Sequence, residues 1–344
     1  MRTAIEHILA AAVLAPSGDN CQPWRFEVAR DTIDVHLLSE RDTSLYGVGH
    51  FASYIAHGAL LENIAIAARS QGVQATISEF PTPHNQFHTA RITLSSIPTR
   101  HDPLASAIAE RCSNRKPYLS TPLTPHQRNA LREAGGNDTL LIEDGLTRKL
   151  LASSLAANEK VLFENRAMHT FFFDHMLWTA HAAAANPIGF HPASLELPAP
   201  IYGIWPAFRH WPIMATLTSL GFANAIAFGN APIYASGAAL ACITIAERSA
   251  RDYLHSGRAL QRLWLTATDL GLSAQILTGI PLLMNAVRAR TPSLSPKHAR
   301  FIEQHYTDMQ HLVGAPHAEI AFFLRVGMSP KPSARTPRAA PTIT

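Results

Sequence analysis

Apolar residues recur at helical spacing along several long stretches of the chain and at alternating, strand-like spacing along shorter ones. Before residue 100 this pattern predicts helices at 2–15 and 51–71, with strands near 23–29, 32–38, 74–79 and 89–95. Beyond that point it predicts a short helix ending near 110, helices at 124–134, 146–166, 252–270 and 295–313, and strands near 139–143, 239–246, 272–277 and 318–326. Residues 168–232 interrupt the pattern as an aromatic, proline-broken insertion.

One stretch of this pattern occurs twice. Residues 58–75 and 257–274 match at a constant offset of 199, with identical residues at Gly58, Leu61, Ala68, Gly72 and Ala75 and at their counterparts. Gly72 and Gly271 stand where a glycine commonly ends a helix, and a short apolar strand follows each. Two amphipathic helices can resemble one another by chance, but the shared order of helix, glycine and strand favours an internal duplication.

The pattern as a whole, with its duplicated unit, predicts an α+β or α/β protein whose sheets are covered by helices. The first half is expected to span 1–98 and the second half 103–330, with the insertion at 168–232 and a basic tail at 331–344. The boundary is placed in Ser96–Pro103, where prolines interrupt the pattern.

Composition narrows the class of protein. Hydrophobic residues make up 47% of the 344 residues and charged residues 16%, which excludes a disordered or collagen-like chain. Three cysteines exclude a disulfide framework and fit a reducing, cytoplasmic compartment. The formal net charge is +4. Because Lys331, Arg335 and Arg338 of the tail supply most of it, no nucleic-acid-binding surface is expected.

Two apolar stretches could be mistaken for export or membrane segments. Ile8 to Ala15 is short and only Arg2 precedes it, so export is not expected. Residues 211–246 contain no Asp, Glu, Lys or Arg, but glycine, asparagine and proline residues break them into short pieces. A buried helix, a loop and a buried strand are expected there, and a membrane anchor stays open as a weaker alternative.

Motif searches exclude several chemistries. The chain has no Walker loop, no His-Glu-x-x-His motif and no Gly-x-Ser-x-Gly elbow. Its 18 histidines are not spaced as metal ligands on a clear helix, so no metal site is expected.

Three segments carry residues that suit a bound cofactor. Pro16, Ser17, Asn20 and Gln22 lie in a short turn, and their hydroxyl and amide groups suit a planar heteroaromatic ring or a polyol chain. The same groups could form a turn that only joins two elements. Residues 111–118 hold three cations and a serine, which suits a phosphate group or a solvated basic turn. Residues 325–338 could close over an anion or fray.

These segments resemble the motifs of the FMN-dependent nitroreductase family. Pro16-Ser-Gly-Asp-Asn-Cys-Gln-Pro-Trp24 is similar to the family's Pro-Ser-x-x-Asn-x-Gln-Pro-Trp segment. Arg111-Cys-Ser-Asn-Arg115 resembles its Arg-Arg-Ser-x-Arg segment, with cysteine in place of the second arginine. Residues 257–274 resemble the family's long helix, and residues 325–338 resemble its C-terminal Gly-x-x-Pro and basic tail.

The order of the motifs is unusual for that family. Each half of the chain holds one part of a site that two subunits share in the family, so the chain resembles a fused dimer with a single composite site. This layout is similar to the Acg-like branch, in which a lid-like insertion covers one flavin. The resemblance implies an α+β, nitroreductase-like fold that is duplicated as a pseudo-dimer within one chain, with mixed β-sheets covered by helices. It also implies one FMN per chain.

The resemblance also implies which residues hold the cofactor. Arg111, Ser113 and Arg115 would hold the phosphate and ribityl chain, helped by Arg335 and Lys331. The residues that would line the flavin are Pro16, Ser17, Asn20 and Gln22, with backbone amides near Leu277 and Gly279 facing its ring. No catalytic side chain is implied, because the cofactor carries the chemistry.

The implied activity is that of an oxidoreductase, which passes hydride or electrons from NAD(P)H through FMN to a small organic acceptor such as a nitro compound or a quinone. The alternative is a flavin-sequestering protein with a closed lid and little or no turnover. The expected partners are NAD(P)H and a small-molecule substrate, without nucleic acid or membrane. The chain is expected to be a monomeric pseudo-dimer or a homodimer.

Overall fold

The computed structural model describes residues 2–98 and 102–344. The expected boundary at Ser96–Pro103 is covered only in part, because residues 99–101 lie outside the described residues. The strands are β1 (Trp24–Ala29), β2 (Thr32–Leu37), β3 (Val73–Glu79), β4 (His88–Ser96), β5 (Thr139–Ile142), β6 (Ala239–Ile245), β7 (Ser273–Leu277) and β8 (Glu319–Gly327). The helices are α1 (Arg2–Ala12), α2 (Phe51–Ser70), α3 (Leu104–Glu110), α4 (Pro125–Gly135), α5 (Gly145–Glu164), α6 (Arg166–Asp174), α7 (Ala180–Ala185), α8 (Ala199–Ile204), α9 (Trp211–Ser219), α10 (Phe222–Ala235), α11 (Ala250–Asp269), α12 (Gly279–Arg288) and α13 (Pro296–Leu312).

The strands form two four-stranded sheets of the same topology. The first has the order β1-β2-β4-β3 and the second has the order β5-β6-β8-β7. This arrangement confirms the α+β fold, and the repeated strand order supports an internal duplication. Every pairing within the two sheets is antiparallel, so the expected mixed sheets are wrong. Within residues 2–98 and 102–344, parallel pairing occurs only at isolated bridges, such as Phe26 with Ile343 and Ser113 with Ala274.

Helices α2 and α11 pack against each other where the two halves meet. A Cβ atom added to Gly58 would lie 1.9 Å from the backbone oxygen of Leu254, and one added to Gly257 would lie 2.0 Å from that of Ile55. Residues 55 and 254 are separated by the same offset of 199 as the two glycines, so the contact is reciprocal, as across a two-fold axis. Glycine is required at both positions because the helix backbones touch.

The two matched helices also end in the same way. Gly72 has φ +68° and Gly271 has φ +72°, which is the left-handed conformation typical of a glycine that follows a helix. Strands β3 and β7 begin directly afterwards. The helix–glycine–strand order predicted from the repeat is therefore confirmed.

The two halves differ in what connects their strands. Arg30 and Asp31 alone join β1 to β2, whereas residues 143–238 join β5 to β6 and contain α5 to α10. The insertion at 168–232 therefore has no counterpart in the first half, and it is largely helical. A second difference is α12 with α13, between β7 and β8. The sequence pattern predicted α13 but not α12.

The longest apolar helices differ in their surroundings. The stretch Leu45–Ser70 is long and apolar enough to cross a membrane, but 89% of its most apolar window is buried in the protein. Helices α9 and α10 pass the same test only as a pair, and they are bent by 81°. Within the expected apolar segment 211–246, β6 is buried as predicted. The expected buried helix is wrong, since α9 and α10 bury only Met214 and Ala223, while Leu220 and Phe228 are 79% and 83% exposed.

The tail crosses from the second half to the first. The backbone N–H of Phe26 donates to the carbonyl of Thr342 at 3.0 Å, and that of Thr344 donates to the carbonyl of Phe26 at 3.0 Å. Residues 342–344 therefore extend the first sheet beyond β1.

Candidate functional site

A cavity of about 690 Å³ lies where the two halves, the insertion and the tail meet. This volume falls within the roughly 300–1,000 Å³ that cofactor pockets occupy. Its wall includes nine of the residues expected at the site: Pro16, Ser17, Asn20, Arg111, Ser113, Arg115, Leu277, Gly279 and Arg335. Segments that are distant in the sequence are thus brought together around one chamber.

Two expected site residues lie elsewhere. Gln22 is 1% exposed and is packed behind the turn rather than on the cavity wall. Lys331 is exposed, and its backbone carbonyl accepts a hydrogen bond from Nζ of Lys116 at 2.8 Å. Neither side chain lines the cavity among the described residues, and their direct contact with a cofactor stays a prediction.

Four arginines line the cavity: Arg111, Arg115, Arg335 and Arg338. Their guanidinium groups donate to neutral backbone carbonyls, for example Arg111 to Leu14 at 2.8 Å and Arg115 to Ser194 at 3.1 Å. In the part of the chain that the structure describes, no carboxylate lies within 4.0 Å of any of the four. Sequence reasoning placed Arg338 in the basic tail but not at the site.

Burial also shields two of the four arginines, Arg111 and Arg338, from water, whereas Arg335 is exposed. Arg111 is 7% exposed and stacks over the Trp264 ring at 4.6 Å. Burial, with the nearby charges of Arg338 and Arg335, lowers the pKa of Arg111 to about 9. Burial lowers the pKa of Arg338 to about 10. The buried Nε atoms of Arg111 and Arg338 have no hydrogen-bond partner in the described residues. Such a cluster has the donors and charge that bind an anion.

The turn between α1 and β1 is held in a strained conformation. Asp19, Asn20 and Gln22 have φ of +45°, +55° and +47°. Residues other than glycine seldom adopt this backbone region. The Ser17 hydroxyl accepts from the Gln22 backbone N–H at 3.1 Å, and Arg41 Nη1 donates to the Gln22 carbonyl at 3.0 Å. Ser17 thus joins the turn, as the structural alternative predicted, while it also lines the cavity.

The corner between β7 and α12 forms another part of the wall. Leu277, Thr278 and Gly279 all line the cavity, and α12 begins at Gly279. The facing side chains are Tyr46 and Asn158, whose Oη and Oδ1 atoms are hydrogen-bonded at 2.8 Å. That the backbone amides of Leu277–Gly279 face a flavin ring stays a prediction.

Four carboxyl groups at the cavity were missed from the sequence. Asp19, Asp42, Glu159 and Glu196 line it, and they come from separate segments without a shared motif. Burial raises the pKa of Asp19, Asp42 and Glu159, and for Asp19 the pKa reaches about 6. Glu159 accepts a hydrogen bond from the Tyr234 hydroxyl of α10 at 2.7 Å.

The insertion supplies the apolar wall. Its aromatic side chains on the cavity are Phe171, Phe172, Phe190, Trp205, Phe208 and Phe222. The Trp205 ring lies 5.4 Å from that of Phe173 and 5.7 Å from that of Phe208, distances typical of packed aromatic pairs. The chamber therefore combines a cationic end with a wall suited to a flat aromatic molecule.

Comparison with known proteins gives relatives from Mycobacterium tuberculosis. No protein-family model matches the chain. An uncharacterized protein of Mycobacterium tuberculosis is 23% identical over 335 residues, which are 95% of this chain and 46% of that protein. The M. tuberculosis protein named "Putative NAD(P)H nitroreductase acg" is 29% identical over 169 residues, which are 47% of this chain and 50% of that protein. The chain is a relative of proteins named as nitroreductases. The resemblance seen in the sequence motifs is thereby confirmed.

The extent of these matches is limited. The chain spans about half the length of the curated relatives it matches. Among solved structures, the FMN-dependent nitroreductase NfnB from Mycobacterium smegmatis, in complex with NADPH, matches with a TM-score of 0.38 and 12% identity over 69% of this chain and 94% of that chain. The NADPH:FMN oxidoreductase from Vibrio harveyi, complexed with NAD+, has a TM-score of 0.34 and 14% identity over 69% and 73% of the two chains.

Proposed function

We propose that the chain is an FMN-dependent NAD(P)H oxidoreductase of the nitroreductase type, with one composite FMN site between its halves. The observation that carries the proposal is the cluster of four arginines without carboxylate partners on the wall of a chamber that both halves build. The names of the relatives support the same activity.

The residues present fit FMN. A phosphate monoester would supply the charge that the four arginines lack and an acceptor for the buried Nε atoms of Arg111 and Arg338. The aromatic wall of the insertion would cover a flat ring system. When bound, FMN supplies the redox chemistry, taking hydride from NAD(P)H and passing electrons to an acceptor.

The chain's own residues then have defined tasks. The arginines bind and orient the phosphate, and the insertion keeps water from the ring. The Asp19 carboxyl lines the chamber with a pKa of about 6, so it holds a proton in slightly acidic solution. The acceptor is a small organic molecule such as a nitro compound or a quinone, which suits the apolar wall.

Binding of FMN and riboflavin to an Arg115→Ala variant tests the proposal. A charge-assisted hydrogen bond contributes roughly 1.5–3 kcal/mol, so the Kd for FMN should rise roughly 10-fold to 150-fold. Riboflavin has no phosphate, and its Kd should change little. Arg209→Ala is the matched control, because Arg209 is an exposed arginine of the insertion away from the cavity wall.

Two results would count against the proposal. An equal loss for FMN and riboflavin would mean that Arg115 only supports the structure, for instance through its contact with Ser194. A wild-type chain that binds neither flavin would refute the function itself.

A flavin-sequestering role is the second candidate. It is favoured by the way the insertion packs, since Phe173, Phe190, Trp205 and Phe208 belong to the same buried core as the second sheet. Anaerobic stopped-flow absorbance of the FMN-loaded chain mixed with NADPH separates the two roles. Reduction within seconds supports turnover, whereas little or no reduction supports storage.

A further inference from the structure

Two buried amides connect the tail to the insertion. Nδ2 of Asn20 lies 3.0 Å from the carbonyl oxygen of Pro187, 2.8 Å from that of Gly189 and 3.0 Å from that of Pro337. Asn20 is 6% exposed. Residues 187 and 189 belong to the insertion and residue 337 to the tail, so one side chain holds both.

Gln22 makes a parallel connection. Its Nε2 donates to the carbonyl of Pro187 at 2.9 Å, and its Oε1 accepts from the backbone N–H of Ala339 at 2.9 Å. The backbone N–H of Gly189 donates in turn to the carbonyl of Asn20 at 3.3 Å. A buried network of hydrogen bonds stabilises the structure most when every donor and acceptor in it is paired.

The same tail residues reach the arginine cluster. Arg338 lies between Pro337 and Ala339, the two residues that the amides hold, and Arg335 lies three positions earlier. Both arginines line the cavity. An anion that binds them fixes the backbone at 335–338, and the amides pass that restraint to residues 187–189 of the insertion.

We propose that Asn20 and Gln22 are positioning residues that link closure of the insertion to occupancy of the arginine cluster by a phosphate monoester. The inference rests on the proposed function. In this proposal Asn20 and Gln22 act by holding the tail and the insertion together, and not by contacting the flavin ring. Phosphate binding, and not ring binding alone, then closes the chamber.

Hydrogen–deuterium exchange of the full chain, read by mass spectrometry, tests the link. The probes are FMN and riboflavin, and the reporters are the amides of Gly189 and Ala339, which make the contacts described. With FMN, exchange in peptides covering 188–191 and 338–341 should slow at least about tenfold in the wild-type chain. With riboflavin, the insertion peptide should slow much less.

The Asn20→Asp variant breaks the link at one point. Asp keeps the size of the side chain and tolerates the left-handed backbone, but it lacks the donor. FMN should still slow exchange in the tail peptide, while the insertion peptide should stay fast. Gln22→Met is the second variant, and peptides from α11 and β8 report whether each variant keeps its core. Ser333→Ala, which removes an exposed contact between the tail and Glu196 of the insertion, is the control and should behave as wild type.

The outcomes separate the link from the proposed function. Equal slowing of the insertion peptide in wild type, Asn20→Asp and Gln22→Met overturns the link, as does equal slowing by riboflavin and FMN. Slowing of the tail without the insertion in wild type overturns the link and leaves the function standing. If FMN binds to the wild-type chain by titration but slows neither segment, the link fails and the proposed function stands; if FMN does not bind, both fail.

Discussion

The contact between the two halves makes a strong prediction about Gly58 and Gly257. In a Gly58→Ala variant, the new Cβ would start 1.9 Å from the backbone oxygen of Leu254, whereas ordinary contacts begin at 3.4 Å. Helices α2 and α11 must therefore separate locally by about 1.5 Å. The obstacle is backbone, so no side-chain rotation relieves it. Overpacking costs about 1–3 kcal/mol when side chains can adjust, and the upper end of that range is expected here.

A pair of comparisons isolates this effect. Gly203→Ala, in α8, meets nothing within 4 Å and should gain roughly 0.5–1 kcal/mol from the better helix propensity. Gly257→Ala should behave like Gly58→Ala. The double variant Gly58→Ala/Gly257→Ala should cost little more than either single change, because the first separation already makes room for the second Cβ.

Urea unfolding followed by tryptophan fluorescence provides the measurement, with size-exclusion chromatography to confirm that each variant is folded. A Gly58→Ala chain as stable as Gly203→Ala would refute the close approach of the two helices. Full additivity in the double variant would refute the reciprocal contact, even if both single changes destabilise.

Three further predictions concern the cavity. Burial raises the pKa of Asp19 from 3.8 to about 6, so the stability that its protonated form contributes is fully present below pH 3.8 and is lost as the pH rises through about 6. The unfolding free energy of Asp19→Asn should therefore exceed that of wild type by up to about 3 kcal/mol at pH 8 but hardly at pH 4. If urea unfolding gives the same difference between variant and wild type at both pH values, this prediction is wrong. Titration with FMN should saturate at one per chain, since the halves supply different parts of the site, and saturation at two would argue against a composite site. Tyr234→Phe removes the hydroxyl that donates to Glu159 and should raise the Kd for FMN less than 3-fold. Arg338→Met should raise that Kd roughly 10-fold or more. Isothermal titration calorimetry measures both, and a larger effect of Tyr234→Phe would contradict the prediction.

Sequence reasoning succeeded where local pattern decides structure. The helix–glycine–strand repeat predicted α2 with β3 and α11 with β7, because helical periodicity and a left-handed glycine are local properties. It failed for α9 and α10, because an apolar run without charges reads alike whether it is buried or exposed. Leu220 and Phe228 are exposed, which only the tertiary packing determines.

At the candidate site, too, sequence reasoning identified some residues and missed others. Arg111 and Arg115 were predicted from a short cationic motif, and they line the cavity. The side-chain amides of Asn20 and Gln22 were predicted to contact a ligand, because the sequence does not show which acceptor an amide donor will meet. Their acceptors are backbone carbonyls more than 160 residues away. Asp42 and Glu159 were missed because only the fold brings them to the chamber.

The pairing of Thr342 and Thr344 with Phe26 has a consequence for synthesis of the chain. The residues on the two sides of this contact are separated by more than 300 positions. At translation rates of about 5–20 residues per second, β1 leaves the ribosome roughly 15–60 s before its partner does. During that interval the outer edge of β1 keeps unpaired backbone groups, which is a surface on which nascent chains associate. Chaperone capture of nascent chains should therefore be strongest before residue 342 emerges.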